Sequence, residues 1–315
     1  MTDFPADLPP PPERPVLPAG DAKTILVDRV REALIALPGY FQSTTNIEGV
    51  AATDLFALNS LLGASIEQQV VDTLNRIRPV WDPDETWATC RFERHPQTFP
   101  DVRLVRWDGA VTTVELGIEL KGWYLLSKEG EPSLRFQNTR EACAPHDLIC
   151  VVPWHLRNVL SGSPVAVEPW VEYAQYAADY RNYHWQHVRV TTNDRTVTSP
   201  AAGTVTPYQP AGAAILDRAV ADGGGNFGRL ARVTGLMDAF TTRVKQTQLL
   251  GIEARHWIRF LKLHTEGHDP NQIEAQLVQE LQVATAAGSI ESAKRVVELV
   301  RQLVSELADV ELPEE

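Results

Sequence analysis

PDVRLVRWDGAVTTVELGIELKG, residues 100–122, decides how this chain is built. Apolar and polar residues alternate with the two-residue period of a strand, and Asp108-Gly109 punctuates the stretch as a turn, so it reads as two paired strands. Neighbouring side chains on a strand face opposite ways. Thr112, Val114, Leu116, Ile118 and Leu120 therefore share one face, and Thr113, Glu115, Gly117, Glu119 and Lys121 share the other. The first face reads as core, while the second gathers two carboxylates and an ammonium around a residue without a side chain. A connection through 108–110 pairs Trp107 with Val111 and sets Asp101 opposite Gly117, diagonal to Glu115 and Glu119 and within reach of sharing one cation. A two-residue loop would turn Asp101 to the wrong face, so the cluster demands one register. The competing reading is a solvated strand face carrying ion pairs, because an E-x-K match is short.

Upstream, Asp21 is placed to cap a helix running to about Leu37. Leu55, Leu58, Leu62, Ile66, Val70, Leu74 and Ile77 recur at three- and four-residue spacing, which predicts a longer helix over 54–77 that Pro79 ends. The period then changes to two, and strands are expected over 86–94, 98–107 and 110–122. DLICVVPW (147–154) is a continuous apolar run, as in a strand covered on both faces. TREACA (139–144) fits a short helix between them. Helix, three strands, helix, strand predicts an α/β fold with a mixed central sheet flanked by helices. Residues 171–185 place Tyr173, Tyr176, Tyr180 and Tyr183 on one helical stripe, read as core. Four regions are expected: a Pro-rich mobile arm at 1–20, a core at 21–190, an irregular insertion or linker at 191–225, and an additional helical C-terminal region at 226–315.

At 315 residues and 43% hydrophobic, the chain can bury a large core. No apolar run approaches the roughly 18 residues needed to span a bilayer, and MTDFPADLPPPPERP lacks the basic start and apolar stretch of a signal peptide, so no membrane and a cytoplasmic location are expected. Three cysteines are too few for a disulfide framework. Cys143-x2-His146-x3-Cys150 lacks a fourth ligand at suitable spacing, and Cys150, in the apolar run LICVV, reads as core. The net charge of -12 argues against non-specific coating of nucleic acid, yet its distribution is uneven. Residues 226–264 carry seven basic residues against Asp238 and Glu253, and residues 265–315 carry eleven acids against Lys294, Arg295 and Arg301.

Pro100-Asp101 followed by Glu119-Leu120-Lys121 resembles the PD-(D/E)xK signature of the restriction-endonuclease-like nuclease superfamily, over roughly residues 54–154. The resemblance implies a restriction-endonuclease-like core and a metal-dependent DNA endonuclease, of a type II restriction or phage-defence kind. Asp101, Glu119 and Lys121 would be catalytic. Asp101 and Glu119 would hold Mg²⁺, or Mn²⁺, with the Leu120 carbonyl a third ligand, and Glu67 on the upstream helix would serve a second metal position or a metal-bound water. Lys121 would orient or deprotonate the attacking water. Glu115 would take an outer-shell role or an exposed ion pair. Double-stranded DNA would be the partner of Arg91, Arg103, Lys128, Arg135 and Arg140 near the site, and of Arg229, Arg232, Arg255 and Arg259 in the basic stretch, with GGGNFGR offering amides to a phosphate. A homodimer would cut both strands, and a companion methyltransferase would fit a restriction system. The alternative is a non-catalytic DNA-binding or scaffold subunit of a defence complex.

Overall fold

The computed structural model describes residues 8–96, 98–109, 111–209, 215–269, 272, 273, 275 and 276. Helix α1 (Ala22–Ile35) starts where Asp21 accepts hydrogen bonds from the Lys23 and Thr24 amides, as its capping residue type predicts. After a single turn, α2 (Leu37–Tyr40), comes α3 (Leu58–Arg76), which buries Leu58, Ile66, Val70 and Leu74. Pro79 restarts the chain as the short α4 (Arg78–Trp81).

Strands β1 (Cys90–Arg94), β2 (Val102–Trp107), β3 (Thr112–Tyr124), β4 (Leu148–Leu156) and β5 (Pro164–Ala166) lie side by side in that order, and β6 (Trp170–Tyr173) also pairs with β4. Only β3 and β4 run parallel, so the sheet is mixed and the class is α/β. TREACA forms a single 3-10 turn, Arg140–Ala142, between them. Strand β6 begins where the tyrosine stripe suggested helix. The helix proper, α5 (Ala174–Tyr183), follows it with Tyr176, Tyr180 and Tyr183 buried in a chain of tilted rings.

The β2–β3 pairing departs from the expected register. Trp107 pairs with Thr112 rather than Val111, and a bulge between Leu104 and Val105 leaves Glu115 without a partner, so that Arg103 faces Gly117 and Val102 faces Ile118. The pairing stops there, although β3 runs on for six more residues to Tyr124.

One face of the sheet packs Leu116, Ile118, Leu120, Cys150 and Val152 against α1 and α3. The other carries Trp123, Ile149 and Val151 against α5. After α5 come the ribbon β7 (Val197–Thr198)–β8 (Arg218–Ala219), α6 (Asp238–Val244), the hairpin β9 (Gln248–Leu249)–β10 (Ile252–Glu253), and α7 (Ala254–Thr265). Leu230, Phe240, Trp257 and Leu261 from this stretch belong to the same apolar cluster as Trp123 and Ile149, so it shares a core with the sheet instead of standing apart as an appended region. The described part of the arm, residues 8–20, forms no strand or helix but is seated: Tyr183 Oη donates to the Pro9 carbonyl at 2.8 Å, and Arg14 pairs with Glu172 at 2.8 Å and lies over Tyr176. Most of the helical C-terminal region expected over 226–315 that follows residue 269 lies outside the described residues. Among the described residues no helix is long and apolar enough to cross a membrane.

Candidate active site at an unpaired strand edge

Beyond Ile118, which pairs with the first residue of β2, β3 has no neighbour on that side, and its outward amides need other acceptors. The Leu120 amide donates to Asp101 Oδ1 at 2.8 Å, the Gly122 amide to Glu67 Oε1 at 3.3 Å, and the Tyr124 amide to Asn59 Oδ1 at 2.9 Å. Three side chains, one from the loop before β2 and two from α3, thus replace the missing strand at alternate residues. This is why Asp101 and Glu67, 34 positions apart in sequence, meet beside Glu119 and Lys121. Gly117 brings the loop in. A Cβ there would collide with Pro100 Cγ and come within 2.9 Å of Asp147 Oδ1, so only glycine lets Pro100-Asp101 lie this close to β3.

The four charges differ in how they are compensated. Glu67 is buried and well served: Arg94 Nη2 donates to Oε2 at 2.8 Å, and Lys121 Nζ lies 3.6 Å from Oε1. Expected as a ligand for a second metal, it is instead committed to two cations and an amide. Glu119 is the opposite case, because its Oε2 is closed off from solvent with no hydrogen-bond partner. Burial pushes the Glu119 carboxyl well above the usual range, Asp101 raises it further, and the Asp101 amide offsets part of this. Burial likewise raises Asp101 to about 7, opposed by the Leu120 amide and reinforced by the negative charge of Glu67, with Arg94 and Lys121 pulling back. Two carboxyl groups are crowded at one spot, and the nearby cations already serve Glu67.

Such a pair can hold a proton or a cation. A hard divalent ion with oxygen ligands fits the donor set: two carboxyls that resist ionising side by side, and one carboxylate oxygen with nothing bound to it. Among the described residues no group of three or more His, Cys, Asp and Glu forms a ready-made ligand cage. The fit rests on Asp101 and Glu119 alone.

The structure separates Glu115 from this site. The bulge takes it out of the alternation and points it towards α1, where it is buried between Lys23 Nζ at 3.2 Å and Arg106 Nε at 2.8 Å. Arg103 stays near, opposite Gly117, with its guanidinium bonded to the Pro100 and Phe99 carbonyls, both at 3.3 Å. Arg91 and Lys128 are exposed. Arg135 bonds the Gly225 carbonyl, and Arg140 pairs with Asp179. In the basic stretch, Arg229 pairs with Glu129 at 3.4 Å, Arg232 with Glu131 at 2.5 Å and Arg255 with Glu253 at 2.5 Å, while Arg259 donates to Gln276 at 3.2 Å. Acids on the turn after β3 thus neutralise arginines that the local charge count left open.

Sequence reasoning missed two contributors. Arg94 ends β1 in an Arg-Phe-Glu-Arg run whose alternation gives no hint that it reaches Glu67. Asp147 is fully buried at the start of β4 and accepts from the Gly117 amide at 2.8 Å, the Ala144 amide at 2.7 Å and the Tyr208 hydroxyl at 2.6 Å. It fixes the other side of Gly117. Its only sequence signal was an acid immediately before an apolar strand. Cys143 and Cys150 belong to clusters on opposite faces of the sheet, which agrees with the reading of Cys150 as a core residue.

Comparisons with protein-family models, with curated proteins and with solved structures found no match for this chain.

Proposed function

We propose that this chain is a Mg²⁺-dependent endodeoxyribonuclease of a restriction or phage-defence kind, cutting phosphodiester bonds at the β3 edge. The observation that carries this reading is the Asp101–Glu119 pair: two carboxyls driven together by the fold, one oxygen without a partner, with an ammonium two residues along the same strand. Asp101 and Glu119 would hold the ion, with the Leu120 carbonyl as a further ligand. When bound, the cation supplies charge screening for the phosphate and a water acidic enough to attack near neutral pH. Lys121 positions that water and offsets charge on the phosphate. Glu67 holds the ammonium within 3.6 Å, and Arg94 balances Glu67 so that Lys121 is not fully neutralised. Double-stranded DNA is the substrate in this reading, two copies of the chain would cut both strands, and a methyltransferase would protect the host.

A second reading has its own support. Asp101 and Glu67 cap backbone amides, a structural duty that a non-catalytic DNA-binding subunit would also need. Asp101→Asn separates the two, because the amide oxygen can still accept from Leu120 while the negative charge is lost. Supercoiled and linear DNA are incubated with wild type, Asp101→Asn and Lys121→Ala, with Mg²⁺ and with chelator. Mg²⁺-dependent cutting, reduced at least about a thousandfold in both variants, is expected for a group acting on the reacting atoms. Equal cutting by Asp101→Asn removes the pair from the mechanism, and DNA binding without cutting on any substrate selects the subunit reading.

A further inference from the structure

Away from the carboxylate pair, a cleft of about 270 Å³ opens between the end of α5 and the loop around Gly228. Four arginines line it, Arg181, Arg189, Arg229 and Arg232, together with Trp185 and Asn226. Three of the guanidiniums have carboxylates of their own: Arg181 is paired with buried Asp217, Arg229 with Glu129 and Arg232 with Glu131. Arg189 has none among the described residues. Its guanidinium carbon lies over the Trp185 ring, 3.8 Å from the centroid, and its Nη1 is shut off from solvent without an acceptor. The Trp185 Nε1 is likewise enclosed and unpartnered. Two buried donors left without an acceptor are costly unless a ligand supplies one. The missing group must accept hydrogen bonds, carry negative charge and suit the planar fork of an arginine.

We infer that this cleft binds a phosphoryl group carried by a nucleotide, with Arg189 and the Trp185 indole as the donors that engage its oxygens. Its volume is several times the roughly 30 Å³ of a water molecule, which leaves room for a sugar beside the phosphate. The contact with the Trp185 ring restrains the Arg189 guanidinium, so less side-chain freedom is lost on binding. The phosphoryl group can belong to a free mononucleotide or to a polynucleotide backbone, and the site stands whether or not the carboxylate pair cleaves anything.

The test is equilibrium binding by calorimetry in metal-free, low-salt buffer, using inorganic phosphate, deoxyadenosine monophosphate and a short single-stranded oligonucleotide. Wild type is compared with Arg189→Ala and Arg189→Lys, each checked for an unchanged melting profile. Binding of at least one probe, weakened about tenfold or more in Arg189→Ala and weakened less in Arg189→Lys, is expected for a charge-assisted contact. Binding of the mononucleotide names a free nucleotide as the source, and binding of the oligonucleotide alone names a polynucleotide; either supports the site. No binding of any probe at millimolar concentration, or equal affinity in wild type and both variants, overturns it. Should Arg189→Ala melt early, Arg189→Lys against wild type decides the same question.

Discussion

Asp101 performs two tasks with two different parts of its side chain. One oxygen caps the Leu120 amide, and the negative charge, suppressed by burial, is what a cation would require. Asp101→Ala is therefore expected to cost about 1–3 kcal/mol in urea unfolding, since it leaves a shielded amide without an acceptor. Asp101→Asn should cost much less, or raise stability above neutral pH, because it keeps an acceptor and removes a charge the fold resists. If the two variants prove equally unstable, the Leu120 bond is not what Asp101 supplies. Gly117 allows a sharper test. Gly117→Ala forces a methyl group against Pro100 and Asp147, and overpacking of this kind costs about 1–3 kcal/mol. Because the loop that yields carries Asp101, metal affinity should fall along with the melting temperature; stability lost with metal affinity intact would mean that the strain is absorbed elsewhere.

At the scale of elements, the site exists because β2 is short and β3 is long. Hydrophobic period and capping residues made α1, α3 and the first four strands legible in the sequence, and they put Glu119 and Lys121 on one strand, but the strand expected over 98–107 starts only at Val102 and leaves Asp101 in the loop before it. Register was not legible. The bulge at Glu115 depends on how β2 and β3 fit against α1 and α3 together, which no local alternation records, and it removed Glu115 from the expected face. The edge caps were equally hidden: Glu67 was expected at a metal and Asn59 carried no expectation, because the need for amide acceptors arises only where β3 outruns β2. The insertion at 191–225 is another long-range fact. Tyr208 adopts φ 61, a left-handed conformation unfavourable for an aromatic residue, and its hydroxyl reaches Asp147 behind Gly117. Tyr208→Phe is expected to destabilise by about 1–3 kcal/mol and to speed amide hydrogen exchange around 204–209. Exchange rates unchanged from wild type there would show that the segment is held by other contacts.

For the whole molecule, the buried carboxyl pair ties stability to pH and to metal. Asp101 titrates near 7 in the folded chain against an ordinary 3.8, and Glu119 is also raised. Between those two pH values the unfolded chain releases the Asp101 proton while the native chain keeps it, so unfolding gains ground as pH rises and the loss is complete above about 7. His146, His155 and His184, all lowered chiefly by burial, act in the opposite sense: their stabilising effect grows as pH rises towards the ordinary histidine value of 6.5. Comparison of wild type with Asp101→Asn cancels the histidines and isolates the carboxyl pair, since Asp101 also raises Glu119. Without metal, the variant should gain on wild type steadily from pH 4 to pH 7. A bound divalent ion replaces the proton and reverses the penalty, so Mg²⁺ should raise the wild-type melting temperature more at pH 8 than at pH 5.5, and should leave Asp101→Asn unmoved at both. A Mg²⁺ shift of the same size at both pH values, or one that survives in Asp101→Asn, would mean that the ion binds somewhere other than the β3 edge.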